Sequence, residues 1–242
     1  TLMPTHMRQF FSLEELQTAL GLNHFPEVIE GFDLSNISGN HAVGSMVAFE
    51  NGLPEKSKYR RYKIATVKGI DDYAMLREVM TRRYRRLLEE DSSLPNLVLI
   101  DGGRGHLNSG CEVLDALGLL DRIDLACIAK GKYRNNLDTD EVYLAHKKEP
   151  VLFKENSPSR FLMQRIRDEA HRFAISYHRR LRSKETLSSP LENISGIGKK
   201  RRLQLLKEFG SLENIRNASV KELTALPGIT SSLAEKLRQY EG

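Results

Sequence analysis

The sequence predicts an α/β fold, a mixed sheet flanked by helices, followed by a small all-helical domain. Three observations carry this. Short apolar runs rich in β-branched and aromatic residues alternate with longer stretches of helical periodicity up to about residue 182. A polar segment ending in proline, Ser183 to Pro190, then interrupts the pattern. Beyond it, short helices are punctuated by glycine.

Taken in order, Leu13 to Leu20 forms a short amphipathic helix stopped by Gly21. The apolar run from Val28 begins the first strand, and Val43 to Glu50 and Tyr59 to Val67 read as two more, with Asn51-Gly52 as a turn signal. Such closely spaced strands predict an antiparallel meander. Asp71-Asp72 opens a helix reaching about Glu90, and Leu97 to Asp101 is a buried strand. Arg104 to Leu117 reads as a helix, Leu125 to Ala129 as a strand, and Glu141 to Ala145 with Val151 to Phe153 as a hairpin. A last helix from Ser159 to about Arg182 carries Ile166, Ala170 and Phe173 at helical spacing. The order βββαβαβ describes the mixed sheet. With Ser183 to Pro190 read as a linker, the domains are 1–185 and 191–242.

Composition narrows the functional classes. With 242 residues, 40% of them hydrophobic, the chain can build a real core. The net charge is +5, and more than half of that excess lies in residues 191–242, where nine Lys and Arg face six Asp and Glu. Basic surface of this kind supplies the salt-dependent part of nucleic-acid affinity. Cys111 and Cys127 stand apart without zinc-type companions, so neither a disulfide framework nor a structural zinc site is indicated. No apolar stretch approaches the roughly 20 residues of a membrane span, and the N-terminus lacks the pattern of a secretory signal. A cytoplasmic monomer with no membrane contact is expected. The opening Thr1-Leu2-Met3 suggests a piece excised from a longer protein.

The chemistry concentrates in acids at strand ends. Leu97-Val98-Leu99-Ile100 delivers Asp101 ahead of Gly102-Gly103, and the run from Val28 delivers Asp33. An unpaired buried charge costs several kcal/mol, so such acids emerge where a cation or substrate compensates them. If both strands neighbour each other and an acid at 71 or 72 joins them, converging carboxylates call for Mg²⁺ or Mn²⁺. Such ions activate water in phosphodiester hydrolysis. The plainer reading is that Asp33 and Asp101 cap turns and that Asp71-Asp72 caps a helix; spacing alone does not separate the last two. His171, within Arg167-Asp168-Glu169-Ala170-His171-Arg172, is either a solvated helix residue or a metal ligand and proton shuttle.

Basic residues offer phosphate contacts. Arg82, Arg83, Arg85 and Arg86 wrap more than one face of their helix, and Lys130 follows the strand from Leu125. Both features serve equally well as solvated surface. In the C-terminal part, Ile194-Ser195-Gly196-Ile197-Gly198-Lys199-Lys200 joins two helices, and 32 residues later Leu226-Pro227-Gly228-Ile229-Thr230 makes the same transition. Glycines here let the backbone approach a phosphate while the next helix points its N–H groups outward. This is the helix-hairpin-helix way of gripping DNA without reading sequence. Thr230 replaces the second glycine, so unequal engagement by the two hairpins is expected.

In combination, GFDLSNISG, IDDYAML, NLVLIDGGRGHLN, RDEAHRFAI and the paired hairpins resemble the C-terminal half of UvrC, the nuclease family of the bacterial UvrABC excinuclease, from about Leu13 to Tyr240. That family acts in nucleotide excision repair, a pathway of the DNA-damage (SOS) response. The resemblance implies an RNase H-like endonuclease domain followed by a tandem helix-hairpin-helix domain. It puts the catalytic acids at Asp33, Asp72 and Asp101 and the histidine at His171, with Asp33, Asp101 and His171 as metal ligands for Mg²⁺ or Mn²⁺. It further implies a 5′-side incision in damaged double-stranded DNA and a partner, the excinuclease helicase UvrB, whose contact segment would precede Thr1. A non-catalytic DNA-binding scaffold, or an enzyme acting on RNA–DNA hybrids, are the competing expectations.

Overall fold

The computed structural model describes residues 4–35, 42–67, 69–130, 140–145, 147–192 and 194–239, with 5, 6, 130, 177–190 and 192 described by backbone alone. The chain divides into two compact units, Thr1–Ile175 and Ser176–Gly242.

Helix α1, Thr5–Leu20, begins well before the predicted Leu13, directly after Pro4, whose φ of −55° suits a helix start. It ends as expected on Gly21, left-handed at φ 67°. Strand β1, Val28–Ser35, pairs antiparallel with β2, Val43–Glu50. Asn51 and Gly52 make the turn with φ values of 51° and 76°. The turn leads first into a two-residue strand, β3, Leu53–Pro54, and only then to β4, Arg60–Lys63. Pro54 has no N–H for a ladder, so β3 stops there and β4 pairs separately with the first half of β2.

After helix α2, Asp72–Glu89, strand β5, Leu97–Asp101, returns parallel to β1. Helix α3, Arg104–Ala116, leads to β6, Asp124–Lys130, parallel to β5. Strands β7, Asp140–Leu144, and β8, Val151–Leu152, close the sheet antiparallel. The strand order is β3-β2-β1-β5-β6-β7-β8, with β4 also on β2. This is the predicted mixed sheet.

Period-2 alternation sends side chains to two cores. Ile29, Leu97 and Leu99 pack with α1 and with Leu162, Met163, Ile166 and Ala170 of helix α4, Pro158–Glu192. Phe32, Val98 and Ile100 pack against α2 and α3. Asp33 and Asp101 therefore share parity with the α4 face. Gly31 lets α4 settle there, since a Cβ on it would lie 2.5 Å from Ile166 Cγ2.

On the opposite face Glu30 is buried, with Arg83 Nη2 donating to its Oε1 at 2.5 Å and Tyr84 OH donating to Oε2 at 2.9 Å. Arg83, one of the four clustered arginines, is thus turned inward rather than toward a phosphate.

The segment 183–190, read as a linker from its polar composition, is helical, and α4 continues to Glu192. Its Ser, Lys, Glu, Thr and Leu residues all tolerate helix, and Pro190 falls only in the last turn. The second unit adds α5, Lys199–Phe209, α6, Leu212–Asn217, α7, Val220–Thr224, and α8, Ser231–Gln239. They enclose a core that includes Leu191, Leu205, Ile215, Leu223 and Leu237.

Gly31→Ala forces Ile166 off its seat, and overpacking of this sort costs about 1–3 kcal/mol. The urea unfolding midpoint is expected to fall accordingly; an unchanged midpoint contradicts the close approach of α4.

Candidate active site

Parallel pairing of β1 with β5 ends at Phe32 opposite Ile100. The next residues on the two strands are Asp33 and Asp101, so the sheet itself sets them side by side. Asp33 is buried and Asp101 half-buried. Burial, and then the charge of Asp101, push the Asp33 carboxyl above its ordinary pKa, while His171 and the Ser35 hydroxyl pull it back. His171 Nδ1 lies 3.4 Å from Asp33 Oδ2, and Ser35 Oγ donates to the same oxygen at 3.3 Å. The histidine side chain is 60% exposed against 8% for Asp33, so the imidazole covers the acid from the solvent side.

Helix α4 sets this contact. Ile166 sits over Gly31, and about one and a half turns later the helix passes Asp33. At the β7 start, Arg167 Nη1 pairs with Asp140 at 2.5 Å and Gln164 Nε2 donates to the same carboxylate at 2.7 Å.

The α2 N-terminus separates the paired aspartates. Asp71 is the N-cap, its Oδ1 accepting from Ala74 N–H at 2.9 Å. Asp72 is exposed in the first turn; its charge and that of Asp101 pull up the pKa of the His106 imidazole, which burial holds below its ordinary value. His106 stacks on Tyr73 with centroids 4.9 Å apart. Sequence reasoning does not single out His106; its only signal is a place in the first turn after Asp101-Gly102-Gly103. Asp33 thus neighbours Asp101 across the β1–β5 pair and His171 from α4, while Asp72 and Asp101 are both felt by His106. Among the described residues, no three His, Cys, Asp or Glu side chains are close enough to enclose one ion. The oxygen-rich donor set with mutual repulsion nevertheless suits a hard divalent cation.

The basic residues fare differently. Arg82 Nη1 donates to Lys63 O at 2.8 Å and to Glu78 at 3.1 Å, and Arg86 Nε donates to Glu90 at 2.7 Å. At 1.5 Å per residue they stand about 15 and 21 Å along α2 from Asp72, so the fold does not gather them at the acids. Lys130 ends β6, and its side chain lies outside the described residues.

In the second unit the two glycine turns are backbone equivalents. Ile197 N–H donates to Ile194 O at 3.0 Å and Ile229 N–H to Leu226 O at 3.2 Å, with Gly196 at φ 98° and Gly228 at φ 82°. Gly198 has an ordinary φ of −78°, and a Cβ on it meets nothing. Thr230 at the matching place therefore fits, and its Oγ1 accepts from Leu233 N–H at 3.3 Å. The inequality of the hairpins lies in charge: Lys199 and Lys200 are exposed, whereas the second turn continues into Ser231 and Ser232.

The sequence matches the family described as the UvrC RNAse H endonuclease domain over residues 17–175, and a SAM-like helix-hairpin-helix tandem over 188–239. It is 50% identical over 233 residues to UvrABC system protein C of Dehalococcoides mccartyi, covering 94% of this chain and 37% of that protein. The corresponding protein of Syntrophotalea carbinolica is 47% identical over 232 residues, with 93% and 38% covered. The chain thus spans a little over a third of the length of these curated relatives. Among solved structures, Endonuclease V of Ciona intestinalis with inosine-containing DNA is similar at 13% identity and TM-score 0.41, over 70% of this chain and 95% of that one. Endonuclease V of Streptomyces avermitilis gives 12% and 0.40, over 76% and 96%.

Because folding raises the Asp33 pKa, this group's contribution to stability is greatest below its ordinary pKa and is lost as pH rises through the folded value. Asp33→Asn should therefore raise the thermal midpoint of the metal-free chain near about pH 7, with the gain shrinking toward about pH 3; a loss at neutral pH contradicts the assignment. In the hairpins, Gly198→Thr should leave the midpoint unchanged or higher, while Gly196→Ala loses about 1–2 kcal/mol for its positive φ. Equal effects in thermal melts contradict the turn geometry.

Proposed function

Since the chain belongs to the UvrC RNase H endonuclease domain family, we propose that it is a divalent-metal-dependent DNA endonuclease that makes the 5′-side incision at damaged double-stranded DNA in nucleotide excision repair. The observation that carries this reading is the sheet-enforced pairing of Asp33 with Asp101 beneath His171. Asp33, Asp101 and His171 would hold Mg²⁺ or Mn²⁺, with Asp72 as the further acid on the α2 side. The bound ion supplies an activated water and a counter-charge for the phosphodiester in flight.

The residues of the chain do the rest. Asp33 orients the imidazole through Nδ1, which leaves Nε2 to bind the ion or move a proton. His106 lies within reach of the charges of Asp72 and Asp101, and burial keeps its pKa below the ordinary imidazole value. The tandem hairpins, with Gly196, Gly198, Lys199 and Lys200 in the first and Gly228 and Thr230 in the second, would hold the duplex backbone without reading bases. Arg82, Arg86 and Lys130 are proposed as outlying phosphate contacts. The relatives' name places them in the UvrABC system, and the excinuclease helicase UvrB is the proposed partner in the full-length protein.

Calorimetry with Mn²⁺ and a nicking assay on lesion-bearing duplex test the reading together. Asp33→Asn and Asp101→Asn should each weaken Mn²⁺ by more than about 100-fold, because losing even outer-shell partners costs 10–100-fold, and should abolish nicking. Mn²⁺ binding unaltered in both variants sinks the metal site and favours a non-catalytic DNA-binding scaffold.

A further inference from the structure

The row of residues that contains Asp33 extends across two more strands. Asp33 lies opposite Ser45 in the β1–β2 ladder, and Ser45 lies opposite Arg61 in the β2–β4 ladder. Directly opposed residues in antiparallel strands present their side chains to the same face. Arg61 thus faces α4, as Asp33 does.

The helix meets this row with two side chains. His171 covers Asp33, and Phe173 covers Arg61, whose guanidinium carbon is 3.7 Å from the ring centroid. Arg61 Nη2 also donates to the Phe173 carbonyl at 3.2 Å. Tyr59, just before β4, reaches the same turn, its ring edge-on to Phe173 at 5.1 Å and 72°, its hydroxyl donating to Glu169 Oε1 at 3.0 Å. Arg172 in turn clasps Glu169 at 2.7 and 2.6 Å. The helical turn that bears His171 is therefore gripped by Tyr59 and Arg61 on both sides of the histidine, at 169 and at 173.

We propose that Arg61 is a positioning residue for His171: by stacking on the Phe173 ring and bonding its carbonyl, it fixes the turn of α4 so that the imidazole rests on Asp33. The helix has independent anchors upstream, in Ile166 over Gly31 and in the Arg167–Asp140 pair, so the fold does not depend on Arg61. What depends on it is the placement of one exposed imidazole. Lysine keeps the charge of arginine but lacks the planar fork that stacks and donates at once.

The inference rests on His171 belonging to the site, and the experiment separates the two. In the metal-free chain, the imidazole resonances of His171 are followed by NMR in Arg61→Lys and Arg61→Ala, with His24 and His106 as internal references. The expected result is a shift and broadening confined to His171, greater for alanine than for lysine, with the thermal midpoint nearly unchanged. In the nicking assay, kcat should fall about 10- to 100-fold with KM for DNA unchanged, since displacement by about 1 Å costs on the order of 100-fold. His171 resonances that do not move overturn the positioning role, whatever the activity. A fall in activity through KM alone also overturns it and makes Arg61 a DNA contact. If His171→Ala nicks as fast as the parent, the endonuclease reading of His171 fails, a result the NMR comparison does not share.

Discussion

Two carboxylates just past the end of the ladder between two adjacent parallel strands constrain the rest of the first unit. The hydrogen-bonded pairing that ends at Phe32 and Ile100 leaves Asp33 and Asp101 no freedom to separate without breaking the centre of the sheet. Their repulsion adds to the cost of burial, and the raised pKa of Asp33 registers both. A helix must then bring something to that edge, which requires α4 to lie close on β1. Gly31 makes room for it, and Ile166 fills that room.

Comparison with other buried acids shows that this strain is local. Glu30, three residues before Asp33, is bonded by Arg83 through two nitrogens and by Tyr84. Asp124 accepts from the Asn23 backbone and side-chain amides and from the His24 backbone at 2.9–3.2 Å. Among the described residues, Asp33 is met by Ser35 and His171, at 3.3 and 3.4 Å, with a like charge next door. Among the described residues Asp33 is thus the least well partnered of the three buried carboxylates. Buried acids with a perturbed pKa and few partners concentrate at functional sites.

Much of this was legible in the sequence, and the limits have physical causes. The apolar runs before Asp33 and Asp101 marked both acids because the β period and the burial pattern are local properties; Asp101 does end β5, whereas β1 runs on to Ser35, since its pairing with β2 continues past Asp33. The division of labour between Asp71 and Asp72 was hidden, since both suit a helix start; only the bond to Ala74 shows which one is spent on the cap. Arg83 looked like its neighbours until the face of α2 was known. His106 escaped because its importance lies in the approach of two helix N-termini, a tertiary fact. The segment 183–190 misled in the other direction, because polar composition marks linkers by correlation, while nothing before Pro190 forbids helix.

The second unit shows how a repeat can keep its backbone and change its chemistry. Gly196 is covered by Leu233, 3.3 Å from where its Cβ would be, and Gly228 by Arg201 at 3.2 Å. Arg201 and Leu233 are 32 residues apart, the same step that separates the two glycines, so each turn is packed by the equivalent residue of the other. Arg201 also donates to Gly196 O at 2.7 Å, spanning both turns. That arginine, next in the chain after Lys199 and Lys200, is committed to joining the hairpins. The charge left at the first turn is then Lys199 and Lys200, with none at Ser231 and Ser232. Two turns with one geometry and different charge differ in salt-dependent attraction for a polyanion rather than in the shape they present.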